Sequence, residues 1–324
     1  MPVNFDIWLG DTRRRIQEKG MKGVLSSMYY VYAGAFLRAC KICRFGTNLY
    51  DLDWDLCIIL DACRYDAIMT IRDEYPFFED VKSMWSVGST SEEWLSFTFT
   101  KQHLSEIQNS VYVTANPHVD AVLRHRASIP VNIALPTGPR AYPTVDAEDF
   151  QYLNQVNAYA FDETLQCVPP RAVTDVAIDA ARNRDPDRLI VHYMQPHVPH
   201  IGDVHGLGAD VFARLQRGEI SRFEAWRSYM ENPRLVLQEI ELLLSNVDAD
   251  IVLIRADHRG GFGRYRFYSH PFASPLPAIR RVPVIRTLAT DHGTYIPSSN
   301  PPEETESTQK SKQRQLESLG YLNR

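Results

Sequence analysis

Three stretches of this chain run from a short apolar segment straight into acidic or imidazole side chains. Leu56–Leu60 (LCIIL) leads into Asp61. Leu189–Tyr193 (LIVHY) leads into Met194, Gln195, Pro196 and His197, with His200 close behind. Ile251–Ile254 (IVLI) leads into Arg255, Ala256, Asp257 and His258. Carboxylate and imidazole are the donors that suit Zn, Mn or Mg, and carboxylates also suit Ca. Asp61, Asp257 and His258 therefore offer three groups for one divalent ion. Singly each has a plainer use: Asp61 as a helix cap, Asp257–His258 as a turn. It is the recurrence at three strand ends that points to a metal. A fourth stretch, Gly88-Ser89-Thr90-Ser91-Glu92-Glu93-Trp94, sets three hydroxyls ahead of a helical pattern. A hydroxyl beside a cation and a helix N-terminus is a candidate nucleophile for ester chemistry. The same residues also read as an ordinary helix start at Ser91, and both readings hold if one hydroxyl caps while another faces the metal. Arg64, three residues past Asp61, is placed to contact an anionic ester.

These residues need a scaffold that brings remote strand ends together. The apolar runs Leu56–Leu60, Val111–Thr114, Leu189–Tyr193 and Ile251–Ile254 predict buried strands, and Val282–Ile285 predicts a fifth, placed at a sheet edge by Pro283. Helical patterns fall between them over Ser91–Ile107, Arg171–Arg184 and Pro233–Leu244, with Pro233 in a first turn. Strands with little alternation, separated by helices, predict an α/β fold: a doubly wound, mostly parallel sheet with helices on both faces. In such sheets ligands bind beyond the carboxyl ends of the strands. The domain expectation is an N-terminal helical extension over 1–50, an α/β domain over 51–297 and a flexible polar tail over 298–324. Residues 130–170, rich in proline and poor in periodicity, are expected to form a substrate-facing insertion.

The formal charge of −5 argues against a nucleic-acid partner. The five cysteines are few, odd in number and without a secretory leader, which predicts reduced thiols and a cytoplasmic place. Cys40 and Cys43 read as thiols on a buried helical face. Gly23–Ile42 carries Tyr29, Tyr30, Tyr32 and Phe36 after Arg13, Arg14, Arg15, Lys19 and Lys22. It reads as an amphipathic helix packed on the domain, with a peripheral membrane contact as its alternative use.

With these residues in view, the chain resembles the alkaline phosphatase superfamily in its sulfatase-like branch, and among those the archaeal sulfatase-like proteins. The resemblance is carried by ILDACRYD ending at Asp66, by GSTSEEW, by HYMQPHVPH over His192–His200, by ADH at Ala256–His258, and by SHP followed by RRVPVI over Ser269–Ile285. It covers about residues 53 to 297. It implies Asp61, Asp257 and His258 as metal ligands and a nucleophile within Ser89–Ser91, on Thr90, held as an alkoxide by the metal. It implies substrate-contacting histidines at His197, His200 and His270, with His197 or His200 binding the ester or protonating its leaving group. The C-x-P-S-R signature of true sulfatases is absent, and the family's DHGE reads Asp257-His258-Arg259-Gly260. The resemblance therefore implies a metal-dependent hydrolase or transferase of phosphate or sulfate esters, phosphate being favoured, acting on a small-molecule, glycan or lipid ester. Two alternatives stand beside it: a non-catalytic binder of anionic glycan or lipid, suggested by Arg259, and a membrane-peripheral phosphotransferase in surface glycan synthesis.

Overall fold

The structure, a computed structural model, describes residues 5–78, 80–127, 129–130, 133–139, 141–202, 206–263 and 268–298. The expected tail from residue 299 onward lies outside them. Strands β1 (Leu56–Leu60), β2 (Val81–Trp85), β3 (Ser110–Thr114), β4 (Tyr152–Gln155), β5 (Arg188–Tyr193), β6 (Ala249–Arg255) and β9 (Arg281–Ala289) form one sheet in the order β2-β9-β6-β1-β5-β3-β4. Strands β7 (Gly261–Phe262) and β8 (Tyr268–Ser269) form a small hairpin. The five strands from β6 to β4 run parallel, while β9 is antiparallel to both β6 and β2. The helices are α1 (Phe5–Lys19), α2 (Met21–Ile42), α3 (Tyr65–Ile71), α4 (Ser91–Thr98), α5 (Leu104–Gln108), α6 (Pro170–Arg184), α7 (Val211–Arg217), α8 (Arg222–Leu244) and α9 (Pro277–Arg280).

All five side chains of β1 are buried, because both faces of its sheet are covered. Leu56, Ile58 and Leu60 enter a core with α3, α6 and α8, through residues such as Ile68, Ala177 and Leu237. Cys57 and Ile59 point the other way, into a core with Leu37 of α2, Trp94 and Leu95 of α4 and Ile107 of α5. This is the period-2 alternation of a strand applied to a strand that is apolar on both sides. The doubly wound, mostly parallel class expected from the sequence is the class observed.

Several local expectations change. The strand over Val282–Ile285 lies inside β9, which is not an edge: β2 closes the sheet beyond it. Pro283 is accommodated because pairing with β6 begins only at Val284, so the missing N–H removes nothing from that ladder. The helix expected to begin at Pro233 begins at Arg222, where Ser221 and Glu224 form a capping box. Pro233 therefore lies inside α8. The pattern over Ser91–Ile107 breaks into α4 and α5, joined by a single 3-10 turn. Within residues 130–170, Tyr152–Gln155 forms β4, which pairs with β3 and closes the opposite edge. Cys40 is buried and Cys43 exposed, both as free thiols.

Gly88 shows how tightly the hydroxyl loop is folded onto α4. A Cβ at this position would lie 2.3 Å from the Trp94 backbone nitrogen, so any other residue would push the loop away from the helix start.

Candidate metal and nucleophile site

Strand β1 lies between β5 and β6, and its carboxyl end delivers Asp61 at the level where β6 delivers Asp257 and His258. Ligand atoms of Asp61, Asp257 and His258 all lie within 4.8 Å of one another, and all three residues are buried. His258 Nε2 stands 3.5 Å from Asp61 Oδ1 and 3.4 Å from Asp257 Oδ2. The local backbone is shaped for this. Ala62 takes φ of 58°, in the left-handed region that non-glycine residues enter at a cost of about 1 kcal/mol or more. Its N–H donates to Asp257 Oδ1 at 3.1 Å, tying the two strand ends together.

Ser91 is the hydroxyl that reaches this cluster. Its Oγ lies 2.8 Å from Asp257 Oδ2, 3.2 Å from Asp61 Oδ2 and 3.4 Å from His258 Nε2. Thr90 is placed differently: it is the N-cap of α4, and its Oγ1 accepts from the Glu93 N–H at 3.3 Å. Ser89 donates to Glu93 Oε2 at 2.9 Å and accepts from the Ser274 N–H at 3.0 Å. One hydroxyl caps and another meets the Asp-Asp-His cluster, with the places expected for Ser91 and Thr90 exchanged. The sequence carried the signal: Thr90-x-x-Glu93 fits a helix start, which makes Ser91 the first helical residue. The Glu93 carboxylate, however, turns back to Ser89 rather than to Thr90.

The remaining expected site residues fall into two groups. His270 lies over His258, with ring centroids 4.5 Å apart, and His197 Nε2 meets His270 Nε2 at 2.9 Å. These two imidazoles therefore continue the cluster outward. His200 is held against α8, its Nδ1 2.8 Å from Ser228 Oγ. Arg64 pairs with Asp66 and bonds the Gly260 carbonyl, and its guanidinium lies over Trp226 and Phe262. Arg259 reaches Asp66 at 2.9 Å and the Arg281 carbonyl at 3.0 Å. Asp66 is thus shared between the guanidiniums of Arg64 and Arg259. Asn116 went unread in the sequence. It lies two residues past the end of β3, and its Nδ2 donates to Asp61 Oδ2 at 3.2 Å.

The electrostatics test whether the cluster suits a cation. Burial pushes the Asp61 carboxyl well above the usual carboxylate range, and the neighbouring Asp257 charge adds to the rise. Burial acts on Asp257 too, but the imidazoles of His258 and His192 and hydrogen bonds from Ser91 and Ala62 outweigh it and hold this carboxyl low. Two carboxyl groups so close retain one proton between them unless a positive charge replaces it. Asp61 Oδ1 is moreover buried with no hydrogen-bond partner, the condition of a donor atom awaiting a ligand. The residues fit a divalent ion. A buried Asp-Asp-His set beside a serine that hydrogen-bonds all three is the arrangement a metal-assisted serine-nucleophile hydrolase requires.

No protein-family model and no curated protein matches the sequence. Among solved structures, the chain is similar to the integral membrane protein lipooligosaccharide phosphoethanolamine transferase A from Neisseria meningitidis, with 11% identity and a TM-score of 0.45 over 74% of this chain and 48% of that one. It thus spans about half the length of that protein. A 2-O GAG sulfatase gives 16% identity and a TM-score of 0.40 over 72% of this chain and 63% of the other. The C-terminal periplasmic domain of EcEptC from Escherichia coli gives 10% and 0.41 over 76% of each. No activity follows from likenesses of this degree. They do correct the expected cytoplasmic place: the similar structures whose names state a location are an integral membrane protein and periplasmic domains.

Proposed function

We propose that this chain is a metal-dependent hydrolase or transferase of phosphate or sulfate esters, of the sulfatase-like branch of the alkaline phosphatase superfamily, with Ser91 as nucleophile. The observation that carries the reading is the Ser91 hydroxyl within 3.4 Å of all three candidate ligands. Asp61, Asp257 and His258 would hold the ion, which when bound supplies a Lewis acid that favours the serine alkoxide and an ester oxygen. Asp257 Oδ2, at 2.8 Å, orients the Ser91 hydroxyl. The Ser91 hydroxyl gives up its proton to water, its oxygen attacks the phosphorus or sulfur, a bond to serine forms as the ester bond breaks, and the leaving alcohol oxygen takes a proton. His197 and His270 are the groups to give it, since one nitrogen of their 2.9 Å contact must carry a hydrogen. Water or an acceptor alcohol then releases the group from Ser91. Arg64 and His200, engaged away from the cluster, serve as walls of the site rather than as reacting groups.

The test is turnover of aryl phosphates, phosphodiesters and aryl sulfates with Zn, Mn, Mg or Ca supplied in turn. Turnover should vanish in Ser91→Ala and Asp257→Asn, and quenched wild-type enzyme should carry the transferred group on Ser91 by mass spectrometry. Bound metal with no turnover of any ester would favour the non-catalytic glycan or lipid binder instead. Turnover unchanged in both variants would defeat the assignment.

A further inference from the structure

Helix α2 has a face that the fold leaves largely exposed. Gly23, Ser27, Ala33, Gly34, Leu37 and Cys40 are buried. On the opposite side Met21, Leu25, Met28 and Tyr32 stand 73%, 60%, 65% and 42% exposed. Their spacing of four, three and four places them in one stripe along the helix. Helix α1 packs on the other side: Gly23 lies so close that a Cβ there would meet the Arg15 carbonyl oxygen at 2.2 Å.

Charge indicates what covers the stripe. Residues 5–42 contain seven basic and three acidic side chains, while the whole chain is −5. Helix α2 itself has no acidic residue, and Arg13, Arg14, Lys19 and Lys22 are exposed around its start. A second copy is a poor occupant, because two such hairpins would bring like charges together. Four side chains also fall well short of the roughly 800 Å² per partner typical of a stable interface. No helix among the described residues is long and apolar enough to cross a membrane, so the face would lie on a surface rather than span one.

The position matters for chemistry. Tyr29 and Tyr32 donate to the carbonyls of Phe272 and Ala273, in the segment that carries His270. The helix that bears the stripe thus braces the same segment that completes the histidine pair.

We propose that this face of α2, rimmed by the basic side chains of the α1–α2 hairpin, docks on an anionic lipid bilayer and sets the ester site beside its headgroups. The inference rests on the ester-cleaving reading for the site, and on exposed apolar area and charge for the docking. Amphipathic helices bind such surfaces by burying the apolar face while basic residues meet the anionic headgroups.

The experiment is co-flotation of the full chain with vesicles of phosphatidylcholine alone or mixed with phosphatidylglycerol, at low and high salt. Binding is expected only to the mixed vesicles and should weaken with salt. The variant Met21→Ser/Leu25→Ser/Met28→Ser should lose binding by at least about tenfold. Arg13→Gln/Arg14→Gln/Lys19→Gln/Lys22→Gln should lose roughly fivefold for each contributing charge. Both alter exposed side chains, and each tests the surface separately if the other folds poorly. Both should turn over a soluble aryl ester as the wild type does without vesicles, whereas Asp257→Asn should still float. Docking and catalysis therefore fail independently. Equal binding to neutral vesicles, no binding to mixed ones, or a dimer that dissociates in the serine variant would each overturn the proposal.

Discussion

The hydroxyl loop separates two roles that sequence position alone leaves tangled. Thr90 caps α4 and Ser91 faces the ligands. Thr90→Ala should cost about 1 kcal/mol of stability by urea unfolding and keep turnover within about tenfold. Ser91→Ala should leave stability nearly unchanged and lower turnover by about a thousandfold or more. The reverse pattern would return the nucleophile to Thr90. A second residue-level consequence concerns acid. Burial lowers His192 from its ordinary 6.5 to about 4, with the Asp257 charge opposing and His258 adding to the fall. Burial lowers His118 to about 3, with His197 and His258 contributing. Both are neutral in the fold and would be charged in the unfolded chain below about pH 6.5, so their contribution is present above that pH and drains as pH falls toward 4. Stability should drop by roughly 1.4 kcal/mol per pH unit for each histidine over that window. Urea titrations across pH should show this, with a shallower acid limb in His192→Gln. The ligand residues were legible because an acidic or imidazole group directly after an apolar run has few structural uses. Asn116 was not, because an amide after a strand is ordinary until its partner is known.

At the scale of elements, the start of α4 is fixed from outside. Glu93 accepts from the Ser89 N–H and hydroxyl at 2.9 Å, and Arg280 reaches its Oε2 at 2.9 Å with both side chains fully buried. Arg280 also bonds the Val87 carbonyl at 2.7 Å, so one guanidinium holds both the loop and the helix. Removing one member of such a pair strands the other: Arg280→Met should cost about 3–5 kcal/mol. Adding Glu93→Gln should cost less than the sum of the two changes, as thermal unfolding of the four proteins would show. Strands β1, β3, β5 and β6 were readable because burial on both faces writes an uninterrupted apolar run. Strands β2 and β4 were not. They close the two edges, where VKSMW and YLNQ mix polar with apolar residues and the ladder on one side is missing. The α8 boundary was missed because Pro233 suggested a start, while the Ser221–Glu224 capping box starts the helix eleven residues earlier, at Arg222.

For the molecule as a whole, the candidate ligands come from β1 and β6 and the serine from α4, so a bound ion would cross-link three separate parts of the fold. A divalent ion at a hundred times its dissociation constant should add about 2.7 kcal/mol. That corresponds to a rise in Tm of roughly 4 °C in a chain of this size, reversed by chelation and absent in Asp61→Ala. A shift that survives in Asp61→Ala would place the ion elsewhere. The sheet order has a further consequence during synthesis. The ribosome releases Asp61 early and Asp257 nearly two hundred residues later, and β1 lacks both of its neighbours until β5 and β6 have emerged. The central strand must therefore wait, and no partial chain can hold the ion in its final coordination. Whichever compartment the chain occupies when β6 docks is the one whose free metal pool selects the ion, since affinity order alone does not choose among first-row divalent metals in a cell.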